Sequence, residues 1–140
     1  MPNLLIDTCV ILDILDRESR WHNWSKDQFR HLSKTHSPVI NPIVFSELCA
    51  GMESPAVVLQ LLSSLSISEQ SLNHETLFLA AKAFVQYKKR GGTKTGVLPD
   101  FYIGAQAAVC SWPLISRDKG RFTRYFPTVQ VIMPEAIKYN

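Results

Sequence analysis

Four carboxylates stand where apolar runs end or helices begin. Asp7 directly follows the aliphatic run Leu4 to Ile6, and Glu47 sits in the segment PIVFSELCAG after a second apolar run. Asp100 follows Pro99 at the head of an Ala-rich stretch, and Asp118 follows the run Leu114 to Ser116 with one residue between. Taken singly, each has an ordinary explanation: Asp7 and Asp100 suit helix N-termini, Asp118 an Asx turn, and Glu47 a solvated helix face. Taken together they pose an electrostatic problem. Two carboxylates about 5 Å apart at an effective dielectric near 20 repel by roughly 3 kcal/mol, so a cleft gathering all four needs compensating positive charge. A divalent cation supplies it. Oxygen donors unaccompanied by a His or Cys set favour Mg²⁺ or Mn²⁺ over zinc. Such an ion lowers the pKa of a bound water, aims it at a phosphodiester and stabilises the leaving oxygen.

Other chemistries fit less well. His22, His31, His36 and His74 are scattered without zinc-like spacing, and Cys9, Cys49 and Cys110 form no CxxC pair, so they read as small buried hydrophobes. There is no G-x-S-x-G elbow, and Ser46 precedes Glu47 on a helix. The GGTKTGV stretch around Lys94 mimics a phosphate-binding loop, but Thr93 stands where that motif requires the glycine before its Lys. It reads instead as an exposed loop suited to substrate selection. Asp13 follows Asp7 by six residues, one helical turn deeper, and Asp16 is expected in solvent; both are left outside the site.

The elements that must position these residues follow from periodicity and punctuation. Short apolar runs at Leu4 to Ile6, Pro38 to Ile40, Ser66 to Ser68, Leu114 to Ile115 and Thr128 to Ile132 read as strands. Helical patterns lie between them, started by Asn41-Pro42, Ser54-Pro55, Asn73 and Pro99-Asp100. Gly51 and the Gly91-Gly92 pair stop two of them. Strands alternating with helices predict an α/β fold: a three-layer α/β/α sandwich around a central, mostly parallel five-stranded sheet. In such sheets ligands bind beyond the carboxyl ends of the strands, where the four acids are expected to meet.

A length of 140 residues suits one domain spanning 1–140, and 46% hydrophobic with 19% charged residues excludes a disordered or fibrous chain. No apolar run approaches 18 residues, and the N-terminal stretch lacks a basic leader, so neither a membrane span nor a secretory signal is expected and the chain reads as cytoplasmic. The net charge of +3 hides segregation: Ser37 to Ala81 holds four acids and no Lys or Arg, whereas Lys82 to Arg124 holds nine basic residues against Asp100 and Asp118. Lys88, Lys89 and Arg90 are accounted for by the end of a helix. Arg117, Lys119, Arg121 and Arg124 surround Asp118 and, with Lys94, are the candidates for holding the phosphates of a polyanion near a metal. Phe101, Phe122, Tyr125 and Phe126 have core-like spacing, although each ring is also a surface on which an unpaired base can stack. Apolar faces from Val57 to Leu65 and Leu77 to Val85 fit either a homodimer or the cover of a sheet.

The segments LLIDTCVILDIL, PIVFSELCAG, PDFYIGAQA and ISRDKGRF, in that order across essentially the whole chain, resemble the PIN-domain family and within it the VapC-like ribonuclease toxins of bacterial toxin–antitoxin systems. The resemblance implies a Mg²⁺- or Mn²⁺-dependent endoribonuclease restrained by a cognate antitoxin. It makes Asp7, Glu47, Asp100 and Asp118 the acidic site, with Asp7 and Asp100 as principal metal ligands and Thr8 and Ser116 as hydroxyl neighbours. One departure is Cys9, where the family often has Asn or Ser. A non-toxin PIN nuclease of RNA processing, or an inactive RNA- or protein-binding PIN module, are the alternatives. A dehalogenase-like phosphatase needs an acid where Cys9 stands, and a two-component receiver needs an acidic pair where Asp7 has only Ile6 and Thr8 beside it.

Overall fold

The aliphatic runs at Leu4, Val39 and Leu114 form the middle of one sheet. In the computed structural model, which describes residues 1–94, 96–118 and 120–134, the chain runs β1 (Asn3–Ile6), α1 (Thr8–Leu15), α2 (His22–Leu32), β2 (Ser37–Ile40), α3 (Pro42–Cys49), α4 (Pro55–Ser64) and β3 (Ser68–Glu69). It continues with α5 (His74–Lys89), α6 (Leu98–Cys110), β4 (Leu114–Ile115), α7 (Gly120–Thr123) and β5 (Val131–Ile132). The sheet order is β3-β2-β1-β4-β5 and every pairing is parallel, with Leu5 opposite both Val39 and Leu114, and Ile6 opposite Ile115.

Burial explains the layering. Leu4, Leu5, Ile6, Val39, Ile40, Leu114 and Ile115 are wholly inaccessible, which requires helices on both faces of the central strands. Right-handed crossovers place the β1-to-β2 and β2-to-β3 connections on one face and the return from β3 to β4 on the other. The strand order therefore reverses between β1 and β4. A crevice opens at that reversal, beyond the strand ends, and is the expected ligand position in an open α/β sheet.

Local chemistry sets the helix starts. Asn41, Ser54 and Asn73 cap α3, α4 and α5 by accepting the N–H of Val44, Val57 and Thr76, and prolines occupy the first turns of α3, α4 and α6. Two strand starts differ from the sequence expectation by more than one residue. The third strand begins at Ser68 rather than Ser66, because Ser66 takes a left-handed conformation (φ 56°) at the end of α4, and the Ile67 N–H closes back on the Leu62 carbonyl at 2.8 Å. The last strand shortens to Val131–Ile132, and α7 is an addition that periodicity could not reveal in four residues. Among the described residues, no helix is long and apolar enough to cross a membrane. Val57, Leu59, Leu77, Phe78 and Val85 leave apolar surface exposed on α4 and α5.

Candidate active site

Asp7 ends β1 and caps α1, and the two tasks divide its oxygens. Oδ1 accepts the Thr8 N–H at 2.9 Å, which fixes the carboxylate at the positive end of the helix. Oδ2 accepts the Ser116 hydroxyl at 2.7 Å and lies 3.4 Å from the Cys9 thiol. Ser116 stands just past β4, so this bond joins the two strands at the reversal of sheet order. Its hydroxyl oxygen in turn accepts the Asp118 N–H at 3.1 Å. The same turn continues when Asp118 Oδ1 accepts the Arg121 N–H at 3.2 Å, which brings the Arg121 side chain back over the acids.

The Arg121 guanidinium is where three carboxylates meet. Its Nη1 is 3.7 Å from Asp7 Oδ2, and its Nε is 3.7 Å from Asp100 Oδ2 and 3.5 Å from Asp118 Oδ2. The acids step outward from floor to rim, with side-chain exposures of 2% for Asp7, 19% for Asp100 and 53% for Asp118. Asp100 arrives from the first turn of α6. Glu47, exposed on α3, is held by the Thr8 hydroxyl, which donates to Oε1 at 2.6 Å. Burial raises the Asp100 carboxyl to about 6; Arg121 pulls it down, and Asp7, Glu47 and Asp118 push it up again. The Arg121 guanidinium is itself pushed up, because the attraction of Asp100, Asp7 and Asp118 outweighs its desolvation. Burial, then the charge of Asp7, raises the Cys9 thiol to about 11, so it sits as a neutral neighbour of the site.

The sequence expected a metal-sized gap shared by four acids. Instead, the Arg121 guanidinium stands among three of them, and among the described residues no three His, Cys, Asp or Glu side chains are placed to hold a metal ion together. The donor set still fits a hard divalent cation: among the described residues the neighbouring donors are carboxylate and hydroxyl oxygens apart from the protonated Cys9 thiol, and the acids already attract one positive charge, that of Arg121.

The remaining candidates separate. Arg124 and Lys94 line a cavity beside Asp100. Arg117 points the other way: its Nε is 2.8 Å from Oδ2 of Asp13, a buried carboxylate that also accepts the Ser19 and Ser25 hydroxyls. Asp13 thereby ties α1, α2 and the turn after β4 together rather than facing the rim. Lys119 lies outside the described residues. Phe101, Phe122 and Phe126 are core, whereas Tyr125 is half-exposed at the cavity. Sequence reasoning passed over Gln106, fully buried on α6, which accepts from Asn41 Nδ2 at 2.9 Å and donates to the Ser71 carbonyl at 3.1 Å. This bridge fixes α6, and so Asp100, against the start of α3. A Gln amid the apolar residues of α6 was its one visible trace.

Comparison with known proteins places the chain. Residues 4–125 match the family model described as PIN domain. No curated protein is significantly similar to the chain in sequence. Among solved structures, VapBC2 from Rickettsia felis bound to a DNA fragment from their promoter superposes with a TM-score of 0.71 at 12% identity, over 93% of this chain and 97% of that one. A toxin–antitoxin complex from Klebsiella pneumoniae gives 0.65 at 19% identity over 95% and 98% of the two chains. FitAcB from Neisseria gonorrhoeae gives 0.62 at 22% over 92% and 96%. At these identities the likeness establishes the fold.

Proposed function

The chain belongs to the PIN-domain family, whose members are generally nucleases, and from that premise we propose that it is a Mg²⁺- or Mn²⁺-dependent endoribonuclease acting as the toxin of a toxin–antitoxin pair. The observation that carries the reading is the gathering of Asp7, Asp100 and Asp118, from three separate parts of the chain, around one positive charge at the switch point of the sheet. PIN nucleases in general use divalent cations. Asp7 and Asp100 would hold the cation with Glu47 and Asp118 completing the set, and when bound it would supply water activation and charge neutralisation at the phosphodiester. The chain's own residues prepare the rest. Ser116 and Thr8 spend their hydroxyl protons on Asp7 and Glu47, which keeps both carboxylates aimed. Arg121, 40% exposed, is free to turn from the acids toward an RNA phosphate once another cation balances them. Lys94 and Arg124 hold the backbone on the same side.

The toxin assignment is supported by the likeness to a toxin–antitoxin complex. The exposed apolar residues of α4 and α5 offer surface for a second copy of the chain. Incubating the purified protein with total RNA, with Mg²⁺ or Mn²⁺ and with chelator, tests the reading. Discrete cuts are expected only with metal, and they are expected to vanish in Asp7→Asn; RNA left intact under all conditions, or cut equally by Asp7→Asn, refutes it. Growth arrest on expression, relieved by co-expressing a short neighbouring reading frame, tests the toxin role separately from housekeeping RNA processing.

A further inference from the structure

Beyond Asp100 and Arg121 the cleft continues into a cavity of about 340 Å³, whose other walls include Tyr87, Lys94, Arg124 and Tyr125. That volume is at the low end of small-ligand pockets, which span about 300–1,000 Å³, and so suits one nucleotide rather than several. Its aromatic walls are rigidly set. Tyr125 stands edge-on to the buried Phe101 (centroids 5.2 Å apart, planes at 83°) and to Tyr87 (6.3 Å, 76°). The Tyr87 hydroxyl accepts the Lys94 N–H at 2.9 Å. Gly92 lets the loop pass over that ring, since a Cβ there would come within 2.4 Å of Tyr87.

Among the described residues the Tyr125 hydroxyl has no hydrogen-bond partner, and the guanidinium carbons of Arg90 and Arg124 lie over its ring, 5.5 and 5.9 Å from the centroid, so that a base stacks there by displacing one of them. Asp100 is the only acid among the described lining residues. Half-exposed rings, a free polar tip and flanking cations match an unpaired nucleobase with its adjoining phosphates. Neither a metal nor an acidic peptide would use the ring faces.

We propose that this cavity is a nucleobase subsite for single-stranded RNA, with Tyr125 supplying the stacking face and Lys94 and Arg124 the contacts to the phosphates on either side. Its place next to the scissile phosphate rests on the nuclease reading; its affinity for a base does not. The consequence is that cleavage is confined to RNA whose bases can be splayed out, because a paired base cannot enter.

The test is equilibrium binding in EDTA, where the proposed nuclease cannot turn over. The probes are a labelled single-stranded octamer of adenosine and an octamer of abasic ribose phosphate carrying the same number of phosphates. Loss of one stack corresponds to about 5- to 150-fold in affinity, so the adenosine octamer is expected to bind at least about 10-fold tighter. That ratio is expected to fall to near one in Tyr125→Leu, to survive in Tyr125→Phe, and to be unchanged in Lys94→Ala, which weakens both probes together. Equal binding of the two probes by the unaltered protein, or a ratio that survives in Tyr125→Leu, overturns the subsite. RNA cleavage with metal alongside equal probe binding leaves the nuclease reading standing without the subsite. A base-dependent ratio without cleavage under any metal does the reverse. Because one perturbation is made on the RNA, the result does not depend on every variant folding.

Discussion

Replacing Asp100 by Asn separates the electrostatics of the site from its chemistry. In the folded protein this carboxyl is raised from its ordinary 3.8 to about 6, by burial first and then by Asp7, Glu47 and Asp118 against the opposing pull of Arg121. A raised acid pKa means that the native state binds the proton more tightly than the unfolded chain. Below about pH 4 both states are protonated and the group contributes nothing. Between about pH 4 and 6 the unfolded chain ionises first, so stability falls as pH rises. Above about 6 the full cost is present. A shift of this size corresponds to at most about 3 kcal/mol at 1.36 kcal/mol per unit, and solvent reaching the partly exposed carboxylate reduces it to about 1–2 kcal/mol. Asn removes the charge and keeps the shape. Asp100→Asn is therefore expected to melt about 3–8 °C higher than the unaltered protein at pH 8 in EDTA, with the advantage shrinking through pH 6 and gone by pH 4. RNA cleavage is expected to be lost in the same variant. Thermal melts across pH 4–8 measure the first effect and a gel assay the second. A variant that melts lower at pH 8, or whose advantage does not depend on pH, would refute the picture of mutually repelling carboxylates.

Arg121→Gln is expected to lower stability in EDTA at pH 8 by about 1–2 kcal/mol, because three carboxylates lose their common counter-charge. The same variant is expected to bind Mn²⁺ about 10-fold or more tightly, read from the rise in Tm on titration, since the metal no longer competes with a guanidinium; unchanged Mn²⁺ affinity would sink the idea that Arg121 occupies the metal's electrostatic place. Arg117→Ala is expected to cost about 1–3 kcal/mol by taking the guanidinium from buried Asp13, which keeps its serine donors. Its affinity for single-stranded RNA is expected to stay within twofold, and a large loss of RNA binding without loss of Tm would return Arg117 to the phosphate contacts.

How far the sequence was legible depended on the range of the interaction involved. The central strands announced themselves because burial on both faces demands unbroken aliphatic runs, as at Leu4 to Ile6. The helix starts were readable because a cap needs only its own side chain and an N–H a few residues on, as with Asn41 and Val44. The short edge elements were not. Ser66 belongs to a run that reads as strand, yet it terminates α4 through a left-handed turn that no residue type announces at a serine. The four acids were identifiable from where they stand relative to strand ends, but the partners of each basic residue were not. Arg117 and Arg121, four residues apart and of the same type, face Asp13 and the acidic cluster respectively.

By itself, the sequence determined the class of fold, its parallel sheet and the presence of carboxylates just past the strand ends, because these follow from local periodicity, capping and position along the chain. Only the tertiary structure decided that Arg121 supplies the positive charge among the acids, that Glu47 leans on Thr8, and that Tyr87 and Tyr125 wall a cavity beside Asp100. Such pairings join residues far apart in the chain, and Coulomb energy and stacking depend on distances of a few ångströms, which are set by the packing of α6 and α7 against the sheet rather than by any spacing along the chain.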